Sequence, residues 1–224
     1  ITFWLAMSNY IHRKMGTWSI IDTMIFLGQH SRTLFEQTGI IAPKTASVVK
    51  PNFTGAKALG EAVTKGLYFI YVGRLTEEKG IRTLLNAFEG QKALLKIAGD
   101  GPLKNLVAQA AADGSNIEYL GQLSPGDIEQ AMRGAKALIF PSEWFETFGM
   151  VIIEAFSLGK PVIASRLGNI PSTVNDNMNG LLFQPGNADS LKKVINQFDK
   201  MQETEKTKLS SGAIETYRKY FSPE

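Results

Sequence analysis

The sequence predicts an α/β fold, a doubly wound domain built on a six-stranded parallel sheet. Three observations carry this expectation. From residue 67 onward, short apolar runs alternate with segments of helical apolar spacing. The runs are continuously apolar rather than alternating, as in strands buried on both faces. Most of them stop at a glycine or a proline, where the chain must turn before it crosses over.

Leu67 to Val72 is the first strand, ending at Gly73, and Ile81 to Phe88 has helical spacing. Ala93 to Ala98 is the second strand, closed by Gly99-Asp100-Gly101-Pro102. Leu103 to Ala112 reads as helix, helped by the alanines of its last turn. Ile117 to Leu120 is the third strand. Ser124-Pro125-Gly126-Asp127 then opens a helix with a capping hydroxyl, a proline at the first helical position and an acid at the positive end of the dipole. Ala137 to Phe140 is the fourth strand, stopped by Pro141, and Gly149 to Leu158 is helix, stopped by Gly159. Pro161 to Ala164 and Gly180 to Phe183 are the fifth and sixth strands. Asn187 caps a further helix reaching about Phe198, and residues 200–224 form a C-terminal helical segment.

Residues 1–50 are less regular. Ile1 to Met7 is apolar but too short for a membrane span, and its basic residues follow it, unlike those of a signal peptide. Ile20 to Leu27 reads as a strand, Ser31 to Gln37 as a helix and Thr45 to Val49 as a strand. Pro51-Asn52-Phe53-Thr54-Gly55 is rich in turn formers and marks a domain boundary. Fifty residues of this kind cannot build a core of their own. They read as the end of another domain, followed by residues 51–199 as the main domain.

The bulk composition narrows the function classes. The 224 residues are 44% hydrophobic and 20% charged, as in ordinary globular proteins. No cysteine is present, which excludes disulfides and thiolate metal sites and fits a reducing, cytoplasmic setting. Two histidines, His12 and His30, cannot form a zinc cluster alone. The net charge of +3 comes from scattered lysines and arginines with no nucleic-acid stripe, so no nucleic-acid partner is expected.

In an open parallel sheet, ligands bind beyond the carboxyl ends of the strands, at the switch point of the strand order. For the order 3-2-1-4-5-6, the loops after strands one and four flank that point. The first offers Arg74 and Lys79, and the second leads to a helix start at Gly149. Cations facing free helical N–H groups suit a phosphate. Glu154 sits inside the apolar run Val151-Ile152-Ile153-Glu154-Ala155-Phe156 and leans toward that helix start. A carboxylate there can accept hydrogen bonds from ribose hydroxyls. Glu146 lies eight positions earlier, on the loop. Gly99 and Gly101 are better explained by the strand-to-helix turn than by ligand contact.

Taken together, "YVGRLTEEKG", "KIAGDGPL", "IEYLGQLS", "PSEWFETFGMVIIEAFSLGKPVIAS" and "NGLLFQPGNADSL" resemble the donor-binding domain of retaining GT-B glycosyltransferases of the glycogen-synthase-like group four, also called glycosyl transferases group 1. The match covers about residues 45 to 200 and includes the family's Glu-x7-Glu spacing. The resemblance implies a Rossmann-like sheet, the C-terminal half of a GT-B fold, and a nucleotide-diphosphate sugar as donor. It implies Glu154 on the ribose, Glu146 near the donor sugar as the catalytic carboxylate, and Arg74 and Lys79 on the diphosphate. Phe148, Gly149 and Met150 would offer backbone to phosphate and sugar, and Gly121 joins the substrate-binding set. It further implies retention of anomeric configuration, no metal cofactor, and a carbohydrate or lipid-linked acceptor, with peripheral membrane association through a full-length protein.

"IDTMIFLGQHSRTLFEQTGI" and "SVVKPNF" resemble the end of the family's acceptor-side domain and its linker, and "YRKYFSPE" the stretch that begins to cross back. The glycine-rich loop and histidine of that first domain have no counterpart here, and His30 does not match the latter. Gly168-Asn169 and Pro171-Ser172 depart from the Gly-Gly and Pro-Glu of many relatives. A nucleotide-sugar-binding module without transferase activity and another GT-B enzyme, such as a sugar-nucleotide epimerase or a phosphorylase, remain open beside the transferase reading.

Overall fold

The computed structural model describes residues 2–55, 66–113 and 116–223. The chain divides into two compact units, residues 1–52 and 53–224.

The first unit holds helix α1 (Thr2–Lys14), a 3₁₀ turn (Thr17–Ile20), strand β1 (Thr23–Phe26), helix α2 (Gln29–Gln37) and strand β2 (Ala46–Val49). The two strands pair in parallel, Thr23 opposite Ala46 through Phe26 opposite Val49. Phe26 packs its ring 5.3 Å from that of Phe35 on α2. The strand expected from Ile20 is shorter because Gly16, at φ 64°, starts the 3₁₀ turn instead. Helix α1 was not expected. Its large apolar side chains Phe3, Trp4, Leu5 and Tyr10 are all exposed, so no in–out pattern advertises it. His12, Arg13 and Lys14 in its last turn suit the helix dipole.

The second unit is built on the expected sheet. Its strands are β3 (Tyr68–Val72), β4 (Leu95–Ala98), β5 (Ile117–Gly121), β6 (Ala135–Phe140), β7 (Val162–Ser165) and β8 (Gly180–Phe183). All pairs are parallel and the order is β5-β4-β3-β6-β7-β8, which puts the switch point between β3 and β6. The continuous apolar runs are explained by helices on both faces: every residue of β7 is buried, and Phe69, Ile70 and Tyr71 of β3 are almost wholly so.

Helices α3 (Ile81–Phe88), α4 (Lys104–Asp113), α5 (Pro125–Arg133), α6 (Met150–Ser157), a short α7 (Ile170–Thr173), α8 (Ala188–Lys200) and α9 (Glu203–Tyr220) complete the unit. The caps follow the sequence. Ser124 Oγ accepts from the Asp127 N–H at 3.3 Å, and Asn187 Oδ1 from the Ser190 N–H at 2.8 Å. Gln202 and Glu205 form a capping box on α9. Phe69 meets Phe88 of α3 and Phe198 of α8 edge-on, at 6.0 and 5.7 Å between ring centroids.

Gly159, at φ +66°, ends α6, and the Lys160 N–H reaches back to the Ala155 carbonyl at 2.9 Å. The Lys160 side chain is 1% exposed. Burial, assisted by the Arg133 charge, pushes its ammonium down to about 8. Between that value and the ordinary 10.5 the unfolded chain holds a proton that the folded chain does not. Stability linked to this group is therefore full above 10.5 and is lost as pH falls toward 8. Relative to Lys160→Met, the wild-type chain should gain about 2–3 kcal/mol of unfolding free energy between pH 7 and pH 10. Urea melts of both proteins at the two pH values check this, and parallel pH dependences would refute it.

Candidate functional site

The site forms where the loops after β3 and β6 meet. Gly80, at φ +71°, is in a left-handed turn, and a Cβ there would lie 2.0 Å from the Pro141 carbonyl oxygen. Only glycine lets the two backbones come this close. The contact is fastened by hydrogen bonds: the Glu143 N–H donates to the Glu78 carbonyl at 2.9 Å, and the Thr83 hydroxyl to the Glu143 carboxylate at 2.6 Å. On the other side, a Cβ on Gly99 would meet the Gly73 carbonyl at 1.9 Å, and one on Gly101 the Leu75 carbonyl at 2.5 Å. These glycines serve close backbone approach, the plainer of their two readings.

This arrangement sets Lys79, the last residue of the 3₁₀ turn Glu77–Lys79, beside Glu146 on the β6 loop. Lys79 Nζ donates to Glu146 Oε1 at 2.5 Å, and the Ser142 hydroxyl donates to the same oxygen at 2.6 Å. Ser142 is 1% exposed, and its own carbonyl accepts from the Ser165 hydroxyl on β7 at 2.6 Å. Glu146 is thus held from two sides, and its pair with Lys79 is partly withdrawn from water. An ammonium with one proton so engaged keeps others for a second anion.

The backbone of Arg74 is fixed by the Tyr71 hydroxyl, which donates to its carbonyl at 2.7 Å. Burial first, and then the Glu146 and Glu78 charges, push this phenol far above its usual value, so it remains a neutral donor. Glu78 is held below the usual carboxylate range, above all by its own backbone N–H, and is ionised at neutral pH.

Helix α6 begins at Gly149, φ +87°, with no side-chain cap. Its first N–H groups are available to an anion. Ile152, Ile153, Ala155, Phe156 and Ser157 are buried, so the face with Met150, Val151 and Glu154 is the one left open. Burial raises the Glu154 carboxyl above its ordinary value. Donors from a ligand would favour its charged form.

A cleft of about 350 Å³ gathers Arg74, Lys79, Glu146, Gly149, Met150 and Glu154 at the switch point. These are six of the eight residues expected from the sequence. Phe148 is 3% exposed and packs its ring 5.7 Å from that of Phe221, so its side chain belongs to the core. Gly121 ends β5 at φ +69° and accepts from the Gly99 N–H, outside the lining of this cleft. Ser142 and Tyr71 were missed. Ser142 follows a strand-ending proline and had only its polarity to mark it. Tyr71 reads as a core strand residue, and nothing in the pattern reveals where its hydroxyl goes. Among the described residues, no three of His, Cys, Asp and Glu come together to hold a metal ion, and no helix is long and apolar enough to cross a membrane.

Known proteins resemble this chain in sequence and in fold. An uncharacterized glycosyltransferase of Methanocaldococcus jannaschii, MJ1178, is 34% identical over 157 residues, 69% of this chain and 44% of that protein. The phosphatidyl-myo-inositol mannosyltransferase of Mycobacterium leprae is 32% identical over 63% of this chain and 38% of its own. The chain therefore spans less than half the length of these curated relatives. Among solved structures, Anabaena Alr3699/HepE in complex with UDP and glucose superposes with a TM-score of 0.75 over 90% of this chain and 59% of that one, at 23% identity. That likeness is one of fold, the GT-B fold of glycosyltransferases. Residues 57–215 match the family described as "Glycosyl transferases group 1", and with most of its length inside that match the chain belongs to this family.

Proposed function

We propose that residues 53–224 bind a nucleotide-diphosphate sugar and serve as the donor side of a glycosyltransferase that passes the sugar to a carbohydrate or lipid-linked acceptor. The observation that carries this reading is the convergence of two cations, an uncapped helix start and two carboxylates in one cleft at the switch point. In this reading Arg74, Lys79 and the α6 N–H groups hold the diphosphate. Glu154, one turn into the helix, takes the ribose hydroxyls. Glu146, braced by Ser142, meets the sugar. In the transfer, an acceptor hydroxyl oxygen bonds to the anomeric carbon, the bond from that carbon to the β-phosphate oxygen breaks, and the hydroxyl proton ends on the departing diphosphate. Developing charge on that leaving group is where Arg74 and Lys79 contribute most.

Arg74→Ala and Lys79→Ala should each weaken nucleoside-diphosphate binding by roughly 1.5–3 kcal/mol, the scale of a hydrogen bond to a charged group. Calorimetry with UDP and GDP checks this, and unchanged affinity in both variants would make them ordinary surface charges.

The two carboxylates should separate by ligand. Glu154→Gln should weaken bare nucleotide and nucleotide sugar alike, because an amide accepts less well than a carboxylate. Glu146→Gln should weaken chiefly the nucleotide sugar. Equal losses on both ligands in both variants would contradict the division of roles. A nucleotide affinity untouched by Glu154→Gln, with the fold intact, would remove the ribose assignment.

The purified 224-residue chain is expected to bind the donor without transferring sugar, since the acceptor-side domain and cleft closure are assigned by the resemblance to a further α/β half, and one sugar subsite on this chain cannot replace them. Turnover by this chain at the rate of a longer protein containing both halves would overturn that expectation.

A further inference from the structure

We propose that Trp144, with Glu78 at its side, forms a sugar-ring subsite for the acceptor, next to the donor cleft. The inference rests on the donor reading given above. It starts from a second cavity, of about 510 Å³, lined by Arg74, Glu78, Lys79 and Trp144. Arg74 and Lys79 line both cavities, while Glu146, Gly149 and Glu154 line only the first. Both spaces therefore lie against the cations proposed to hold the diphosphate. The bond to be broken joins that diphosphate to the donor sugar, and an acceptor hydroxyl must arrive beside it. A cavity that shares the two cations is in the right place to deliver one.

Its chemistry suits a pyranose. Trp144 is 64% exposed, a large planar apolar surface set among charged groups. The negative face of an indole attracts the polarised C–H bonds along one face of a sugar ring. Glu78, ionised at neutral pH, accepts from hydroxyls, and the cations beside it donate. Three charged side chains and one aromatic wall line the cavity, so hydroxyl partners and a stacking face stand together.

The aromatic wall is also held in place. Ser142, two residues before it, is buried and bonded to Glu146, and Glu143 is tied by its N–H to Glu78 and by its carboxylate to Thr83. Trp144 thus projects from a stretch whose neighbours on both sides are fastened. A stacking surface that need not be ordered on binding loses less entropy when it is used.

The test uses the 224-residue chain and saturation-transfer NMR with methyl α-glucoside, methyl α-mannoside and methyl α-N-acetylglucosaminide, each alone and with UDP, UDP-glucose or GDP-mannose added. The wild-type chain should show contact to at least one methyl glycoside, and the contact should persist when the donor sugar is bound. Trp144→Ala should lower that signal about fivefold, the scale of a single lost aromatic contact, while Trp144→Tyr keeps most of it. Calorimetry with the same donors and thermal melts of each variant run alongside. A Trp144→Ala variant that still folds, still binds donor and has lost the glycoside signal supports the subsite. Signals indifferent to Trp144, or no glycoside contact in a wild-type chain that binds donor, overturn it. Displacement of the glycoside by UDP-glucose or GDP-mannose but not by UDP also overturns it, by assigning the surface to the donor's own sugar. Failure of the wild-type chain to bind any donor would strike the donor reading itself, a distinguishable result.

Discussion

The site depends on one close contact, the passage of the Gly80 turn against the Pro141 carbonyl. Strands β3 and β6 are neighbours in the sheet, but adjacency alone does not bring their following loops together. The missing Cβ at Gly80 does. Once the two backbones touch, Lys79 falls within hydrogen-bond reach of Glu146, and Glu78 and Glu143 lock carbonyl to amide. A side chain at position 80 would both strain a left-handed residue and press on an oxygen that cannot retreat without moving the end of β6.

Around that contact the electrostatics are balanced locally. Lys79 faces Glu146, Arg74 and Lys79 both act on Glu78, and Glu154 stands half-buried on the next turn of α6. Such a set is not a bare cationic patch. It sets the cations beside the α6 amides and carries carboxylate acceptors to either side. Under the proposed donor function, a ligand with a doubly charged middle and hydroxyl-rich ends matches this sequence of charges better than free phosphate does. The residues that bring no charge are equally structural: Tyr71 and Ser142 fix a backbone and a carboxylate without contributing to either net charge.

Much of this was readable from residues alone, for identifiable reasons. The strands announced themselves because helices on both faces leave no polar positions in runs such as Tyr68–Val72. The switch point followed only once the usual strand order was assumed, an order the structure has, and Glu154 stood out because a carboxylate inside an apolar helix has to be explained. Other features had no local signal. Helix α1 shows its aromatic residues to solvent, so no periodic burial marked it. Phe148 stands next to Gly149 in sequence, yet its ring turns inward to Phe221, more than seventy residues away, a direction set by tertiary packing. The partner of Ser142 was hidden for the same reason, since a hydroxyl's hydrogen bond depends on where a loop folds back.

Helix α9 has a consequence for how the cleft-lining helix α6 is held. The Ser210 hydroxyl of α9 donates to the Gly159 carbonyl at 2.5 Å, Ile214 lies against Gly159, and Phe221, just past the helix, backs Phe148. Tyr217 reaches across to the Thr54 carbonyl at 2.7 Å, near the start of the unit. The first and last segments of the unit are thereby joined behind the very helix whose front face carries Glu154. Helix α6 works as a beam clamped along its rear. Its aim at the cleft is set by residues outside the cleft lining, and the polypeptide beyond residue 200 acts as its mounting.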